Sequence, residues 1–205
     1  HGQPVQNQQK IAPIKKTNFF FGLSLLLFCS HSAAFDGDRA YRFLVEQCAL
    51  GTREPGSTGH TAAKAYFESF LKRQKGSYSR DDFTFEDRAR KKILPLTNFR
   101  IRFQGKSKQK YLLCAHWDTR PWADRDPDPL KRGLPIPGAN DGASGVAVLM
   151  ALCETFSQKL PVKTVEIVFF DGEDYGIGSN DAWFLGSKHF ASTANPKEYA
   201  CAILL

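Results

Sequence analysis

The chain has 205 residues, of which 42% are hydrophobic and 24% charged, with a formal net charge of +7. That balance excludes a disordered polar tail, and the lack of a fixed repeat period excludes a solenoid or propeller. The first 34 residues hold three lysines and no acid, so the remainder carries 25 basic against 21 acidic residues, a mild excess. Its basic clusters, "RARKK" (88–92) and "KSKQK" (106–110), come with no recognition motif and read as solvated loops, so no nucleic-acid partner is expected.

The Gln-rich leader "HGQPVQNQQKIAP" fits no folded element. After it, Lys15 and Lys16 precede an apolar run, Phe19 to Phe28, and then small residues ending Ser32-Ala33-Ala34. This is the grammar of a secretory signal cleaved after Ala34. The run is too short to span a bilayer, which needs roughly 20 residues. Residues 1–34 are therefore read as leader and signal, and 35–205 as the N-terminal part of a single domain. The mature protein is expected to be exported, periplasmic or secreted, with no stable membrane insertion. A lipid anchor at Cys29 is disfavoured because bulky Phe28 stands where a small residue would be needed. Cys48, Cys114, Cys153 and Cys201 remain, and export permits disulfides among them. No CxxC pair marks a cysteine-zinc site.

From Asp36 to Gln74 the spacing predicts two helices. Tyr41, Leu44, Val45 and Cys48 share one face of the first, and Ala63, Tyr66, Phe67 and Phe70 one face of the second. "DDFTFED" (81–87) and "LTNFRIRFQG" (96–105) alternate and read as strands. Apolar strands at 110–118, 163–174 and 199–205 then alternate with helices at 142–158 and 182–191, which implies an α/β sheet covered on both faces. In such sheets ligands gather beyond the carboxyl ends of the strands. The last run, "CAILL", reads as an interior strand, which suggests that the chain is the N-terminal part of a longer protein.

Polar chemistry collects in "AHWDTRPWAD" (115–124), "PGANDGASG" (137–145) and "FFDGEDYG" (169–176). Three carboxylates within four positions, Asp171, Glu173 and Asp174, repel one another unless something positive compensates them. The His, Asp and Glu content of the three segments is the ligand set of a catalytic zinc. Asp141 in a Gly-bounded turn and Asp174 beyond a strand end could hold the ion, with Glu173 as general base. Plainer roles compete. Asp171 reads as a turn cap, Asp141 as a helix-start residue, and Asp118 and Asp124 as surface acids pairing with Arg120 or Arg125. His116 could be a satisfied core histidine, and His60 and His189 read as structural. "DRDPDP" (124–129) reads as a loop and not a calcium site. Trp117, Trp122 and Trp183 could line a pocket or pack in the core.

"AHWDT", "GANDGASGV", "FFDGEDYG" and "FLGSKHFA" resemble the zinc-dependent exopeptidase (aminopeptidase) superfamily. With "LGTREPGSTGHTAAKAYF" (50–67), the closest resemblance is to glutaminyl-peptide cyclotransferases (glutaminyl cyclases) of bacterial type. The resemblance implies a three-layer α/β/α sandwich with a mixed, largely parallel central sheet. It implies Asp141 and Asp174 as zinc ligands and Glu173 as the general acid/base. His116 would join the metal set only if a second zinc binds, with Asp118 supporting it; the third ligand would lie beyond Leu205. Asp174 stands where animal cyclases have Glu, and Ala115 and Val146 replace their active-site disulfide. The implied activity converts N-terminal glutamine of peptides or proteins to pyroglutamate with one zinc, in a monomer. The alternatives are a two-zinc aminopeptidase of the same superfamily and a non-catalytic exported peptide-binding module.

Overall fold

The computed structural model describes residues 35–177 and 182–205. The leader, the signal segment and Cys29 lie outside the described residues. No helix among those described is long and apolar enough to cross a membrane.

Helix α1 (Gly37–Ala49) opens on Asp36, whose carboxylate accepts the Arg39 N–H at 2.8 Å. Its buried residues are Ala40, Phe43 and Gln47, not the expected stripe, and Tyr41 and Val45 stand 67% and 48% exposed. Both stripes have helical spacing. Gln47 disguises the true one, because its side-chain amide is buried donating to the carbonyls of Phe43 and Ala143, 3.1 Å each. Helix α2 (Thr58–Lys72), capped by Ser57, buries Ala63, Phe67 and Phe70 as its spacing predicts.

Strands β1 (Ser77–Asp87), β2 (Lys92–Phe103), β3 (Lys110–His116), β4 (Thr164–Phe170) and β5 (Tyr199–Leu204) form one sheet in the order β1-β2-β4-β3-β5. The β1/β2 and β2/β4 pairings are antiparallel, and β3 runs parallel to both β4 and β5. The sheet is thus mixed as expected, with its antiparallel share larger than the sequence suggests. Helix α3 (Gly145–Gln158) and α4 (Leu185–Thr193) complete the sandwich. Period-two alternation sends side chains to two cores. Phe99, Ile101, Phe103, Ala115, Ile167 and Phe169 pack with α1, α2 and α3. Leu112, Cys114, Val168 and Phe170 pack against Phe190 of α4 on the other face.

Glu166 is a charge inside the wholly buried β4. Burial would raise its pKa, but Arg100 and Lys110, the latter at 3.0 Å, hold its carboxyl below the usual range. β5 pairs with β3 at one edge of the sheet among the described residues, and Ile203, Leu204 and Cys201 are exposed there. None of Cys48, Cys114, Cys153 and Cys201 is in a disulfide.

One register positions the site. His116 pairs beside Phe170 across the parallel β3/β4 ladder, so the segments after these strands emerge together at one edge of the sheet. Helix α4 closes over that edge, and the approach at Gly186 leaves no room for a side chain. A Cβ there would run into Asn98 Oδ1 and the Asp171 backbone, whose nitrogen would lie 2.7 Å away. Glycine to alanine in a helix normally stabilises by about 1 kcal/mol. Here the clash is with backbone and should dominate, so Gly186→Ala should destabilise by about 1–3 kcal/mol in a denaturant titration.

Candidate active site

The turn Asp171–Asp174 follows β4 with Gly172 at φ +67, and is gripped from two sides. The first amides of α4 and the residue before it donate to its carbonyls: Phe184 to Glu173, Leu185 to Gly172 and Gly186 to Asp171, at 2.8–3.0 Å. Helix N-termini carry orphan donors, and this turn satisfies them. From the opposite side Asp118, wholly buried, accepts the Glu173 N–H on Oδ1 at 2.9 Å and the Asp174 N–H on Oδ2 at 3.1 Å. It is therefore not a surface acid. Its carboxylate spends its oxygens on the backbone of the turn, which fixes the segment that carries Asp174 into the cleft.

His116 joins the second segment. Its Nε2 lies 2.9 Å from Asp141 Oδ1, while its Nδ1 is 3.4 Å from Asp118 Oδ1, within ion-pair reach but outside hydrogen-bond geometry. Asp141 sits in a kinked turn, Ala139–Ser144, that leads into α3. Gly142 follows it at φ +92, where a Cβ would lie 2.9 Å from the Asp118 carbonyl oxygen and 3.1 Å from the His116 ring. Only glycine adopts that conformation without strain, and only its bare backbone fits there. Asp141, Asp174, Arg120, Arg125 and Trp183 line a cleft of about 320 Å³.

The electrostatics are those of an acidic site short of positive charge. Burial, together with Asp118, Asp141 and Asp174, pushes the Glu173 carboxyl up despite His116. Burial also raises Asp174, although Arg120 donates to its Oδ1 at 2.8 Å. The His116 bond lowers Asp141. For His116 burial alone would lower the pKa, but the neighbouring carboxylates Asp118 and Asp141 outweigh it and lift it to about 11. Asp124 pairs with Arg120 at 2.8–2.9 Å, as one plainer reading expected.

A divalent cation fits this chemistry. Two carboxylates, Asp141 and Asp174, face one cleft, and burial holds Asp174 and its neighbour Glu173 at raised pKa. These two carboxylates, Asp141 and Asp174, could hold a zinc ion. Among the described residues no group of three or more His, Cys, Asp or Glu side chains is arranged as a complete metal site.

Two supporting arrangements have no signal within any short motif. Arg53 is fully buried without a carboxylate hydrogen-bond partner. Its guanidinium donates to the carbonyls of Trp117 (3.0 Å), Gly138 (3.0 Å) and Pro137 (3.3 Å), and more distantly to Gln47 and Gly51. Its own N–H donates to Thr119 Oγ1 at 2.8 Å. One side chain thus joins the strand end bearing His116 and Asp118 to the turn bearing Asp141. The second is Asp171, which is no turn cap: its buried carboxylate receives the Thr97 N–H at 2.7 Å and lies 2.9–3.0 Å from His60 Nε2. His60 in turn stacks on Trp117 with centroids 4.5 Å apart. His60 and His189 are structural as expected, but both have acidic partners distant in sequence, Asp171 and Asp81. Trp117 is core, and Trp183 lines the cleft.

This geometry has known counterparts. The family model "Peptidase family M28" matches residues 98–205, and the chain belongs to that family. Among solved structures, a Zn-dependent exopeptidase from Parabacteroides distasonis is 34% identical with a TM-score of 0.76. A glutaminyl cyclase from Tannerella forsythia is 33% identical, also at 0.76. In both cases the match covers 83% of this chain and 61% of the other. A probable zinc metalloprotease of Pyrenophora tritici-repentis is 34% identical over 83 residues, 40% of this chain and 16% of the relative. The three-layer exopeptidase-like fold is thereby shown, and membership of the family implies zinc.

Arg53→Met should destabilise by about 3 kcal/mol or more, since each buried acceptor left unpaired costs about 1–3 kcal/mol. Arg53→Lys should recover only part of this, because one ammonium cannot span the same carbonyls; chemical denaturation of both variants checks it. Glu173 carries the opposite sign. Its raised pKa means that the folded chain binds the proton more tightly than the unfolded chain, so its ionisation subtracts stability once pH exceeds the ordinary carboxylate range. In chelator, Glu173→Gln should melt above wild type at pH 7.5, with the gap closing in acid. A lower melting temperature at pH 7.5 would contradict this electrostatic picture.

Proposed function

We propose that the protein is a zinc-dependent glutaminyl-peptide cyclotransferase, which converts the N-terminal glutamine of peptides to pyroglutamate and releases ammonia. The observation that carries this reading is Glu173, a half-buried carboxyl with raised pKa on the same turn as Asp174, which lines the cleft with Asp141. A general base works best when its pKa approaches the working pH, which burial and like charges favour here. Bound between Asp141 and Asp174, one zinc would supply Lewis-acid polarisation of the glutamine side-chain carbonyl. Glu173 takes a proton from the α-ammonium, and the freed amine attacks the side-chain carbonyl carbon. The new C–N bond closes a five-membered lactam, Glu173 passes its proton to the side-chain nitrogen as the old amide C–N bond breaks, and the ring nitrogen sheds its surplus proton, so that ammonia and one proton are released. Nucleophile and electrophile belong to one molecule, so orientation supplies much of the acceleration. The reading includes an exported monomer, from the signal-like leader.

A second reading rests on His116. Its Nε2 reaches Asp141 at 2.9 Å, which would put a nitrogen donor at hand for a second zinc and make the protein an aminopeptidase with Glu173 activating water. A zinc-loaded, full-length preparation mixed with a peptide beginning with glutamine separates the two by mass spectrometry. Loss of ammonia alone is expected; loss of the whole first residue establishes the aminopeptidase. Glu173→Gln should lower turnover by a factor of about 100 or more while zinc remains bound.

A further inference from the structure

Beside the acidic cleft lies a second cavity, of about 490 Å³, that the proposed chemistry does not use. Its walls are Ala123, Leu134, Pro135, Ile136 and Pro137, and it meets the cleft at Arg120 and Arg125, which line both. The enclosing segment, residues 120–137, is a strap folded back on itself. The Ala123 N–H donates to the Leu134 carbonyl at 2.8 Å and the Ile136 N–H to the Arg120 carbonyl at 2.9 Å. Asp126 and Asp128 add side-chain turns, and the Arg53 guanidinium holds Pro137 and Gly138 from below. The cavity is therefore held open by backbone pairing and does not depend on a ligand to shape it.

We propose that this cavity is the subsite for the residue that follows the first residue of a peptide substrate, and that it selects an apolar side chain there. The proposal rests on the reading of the cleft as the site that takes the N-terminal residue. A substrate whose first residue sits against Asp141 and Asp174 must leave the cleft past its boundary, and Arg120 and Arg125 form the edge shared with the apolar cup. Arg120 is held by Asp124 and Asp174, which leaves exposed Arg125 placed to donate to a peptide carbonyl at the crossing. The charged rim carries both signs, Arg125 and Lys131 against Asp124 and Asp126, so it favours neither an acidic nor a basic side chain. The walls supply burial alone, the driving force for an aliphatic group. A cavity of this size sits within the span of about 300–1,000 Å³ typical of small-molecule sites.

The test compares the peptides Gln-Leu-Ala-amide, Gln-Gly-Ala-amide and Gln-Asp-Ala-amide on the full-length, zinc-loaded protein. Burial of a leucine side chain should lower KM about tenfold relative to glycine, and the aspartate peptide should gain nothing. Leu134→Ser and Ile136→Ser should each shrink the leucine-to-glycine ratio severalfold, with unchanged melting temperature reporting an intact fold. Leu134 is 56% exposed, so its variant should fold even if the other does not. A wild-type ratio near one, or a ratio that both folded variants preserve, overturns the proposal. Calorimetric affinities for the same three peptides separate this outcome from failure of the cyclase reading. If no peptide loses ammonia but leucine still binds about tenfold tighter through Leu134, the subsite stands and the chemistry falls.

Discussion

The site depends on one buried carboxylate, that of Asp118. Removing a charge from water is costly unless it is paired and hydrogen-bonded, and Asp118 meets that requirement with two backbone N–H groups and the His116 ring nearby. The donors belong to Glu173 and Asp174, so satisfying Asp118 also fixes the turn that carries those side chains. The parallel β3/β4 register brings the two strand ends together, and α4 fastens the far side of the same turn. Sheet, helix and carboxylate each constrain the same four residues. The chemistry consequently rests on a preorganised turn instead of a mobile loop.

Opposite charges are divided between the two sides of this structure. Asp141 and Asp174 face the cleft, where burial raises Asp174 and its neighbour Glu173 and a divalent ion would be favoured. Behind them, Arg53 presents its guanidinium to main-chain carbonyls and not to an acid. A buried arginine paired with one of the cleft carboxylates would have competed with a metal for that ligand. Spent on carbonyls, its charge stabilises the architecture while leaving the acids to the cleft. Arg120 does the reverse, occupying Asp174 from the front.

Much of this was legible in the sequence because the information was local. The apolar strands and the three polar segments each lie within a dozen residues, and their order placed Asp141, Glu173 and Asp174 beyond strand ends. What escaped was non-local. Arg53 reaches Trp117 and Gly138, and His60 reaches Asp171, over separations of 64 to 111 residues. No periodicity reports such pairings; the segment 50–67, noticed only for its resemblance, proves to be the underside of the site. The buried stripe of α1 escaped for another reason, since a glutamine in a core position looks like a solvent residue until its carbonyl partners are known.

The strap over residues 120–137 has a consequence for how such a protein can diversify. It is tied together by main-chain pairs and by the side chains of Asp124, Asp126 and Asp128, none of which is an apolar residue of the cavity wall. Leu134, Pro135 and Ile136 can therefore drift, one substitution at a time, without disturbing Glu173 or the strand register. Innovation in what is recognised is decoupled from conservation of what is done. A change in the lining of the strap thus reaches the cavity without reaching the turn that Asp118 holds.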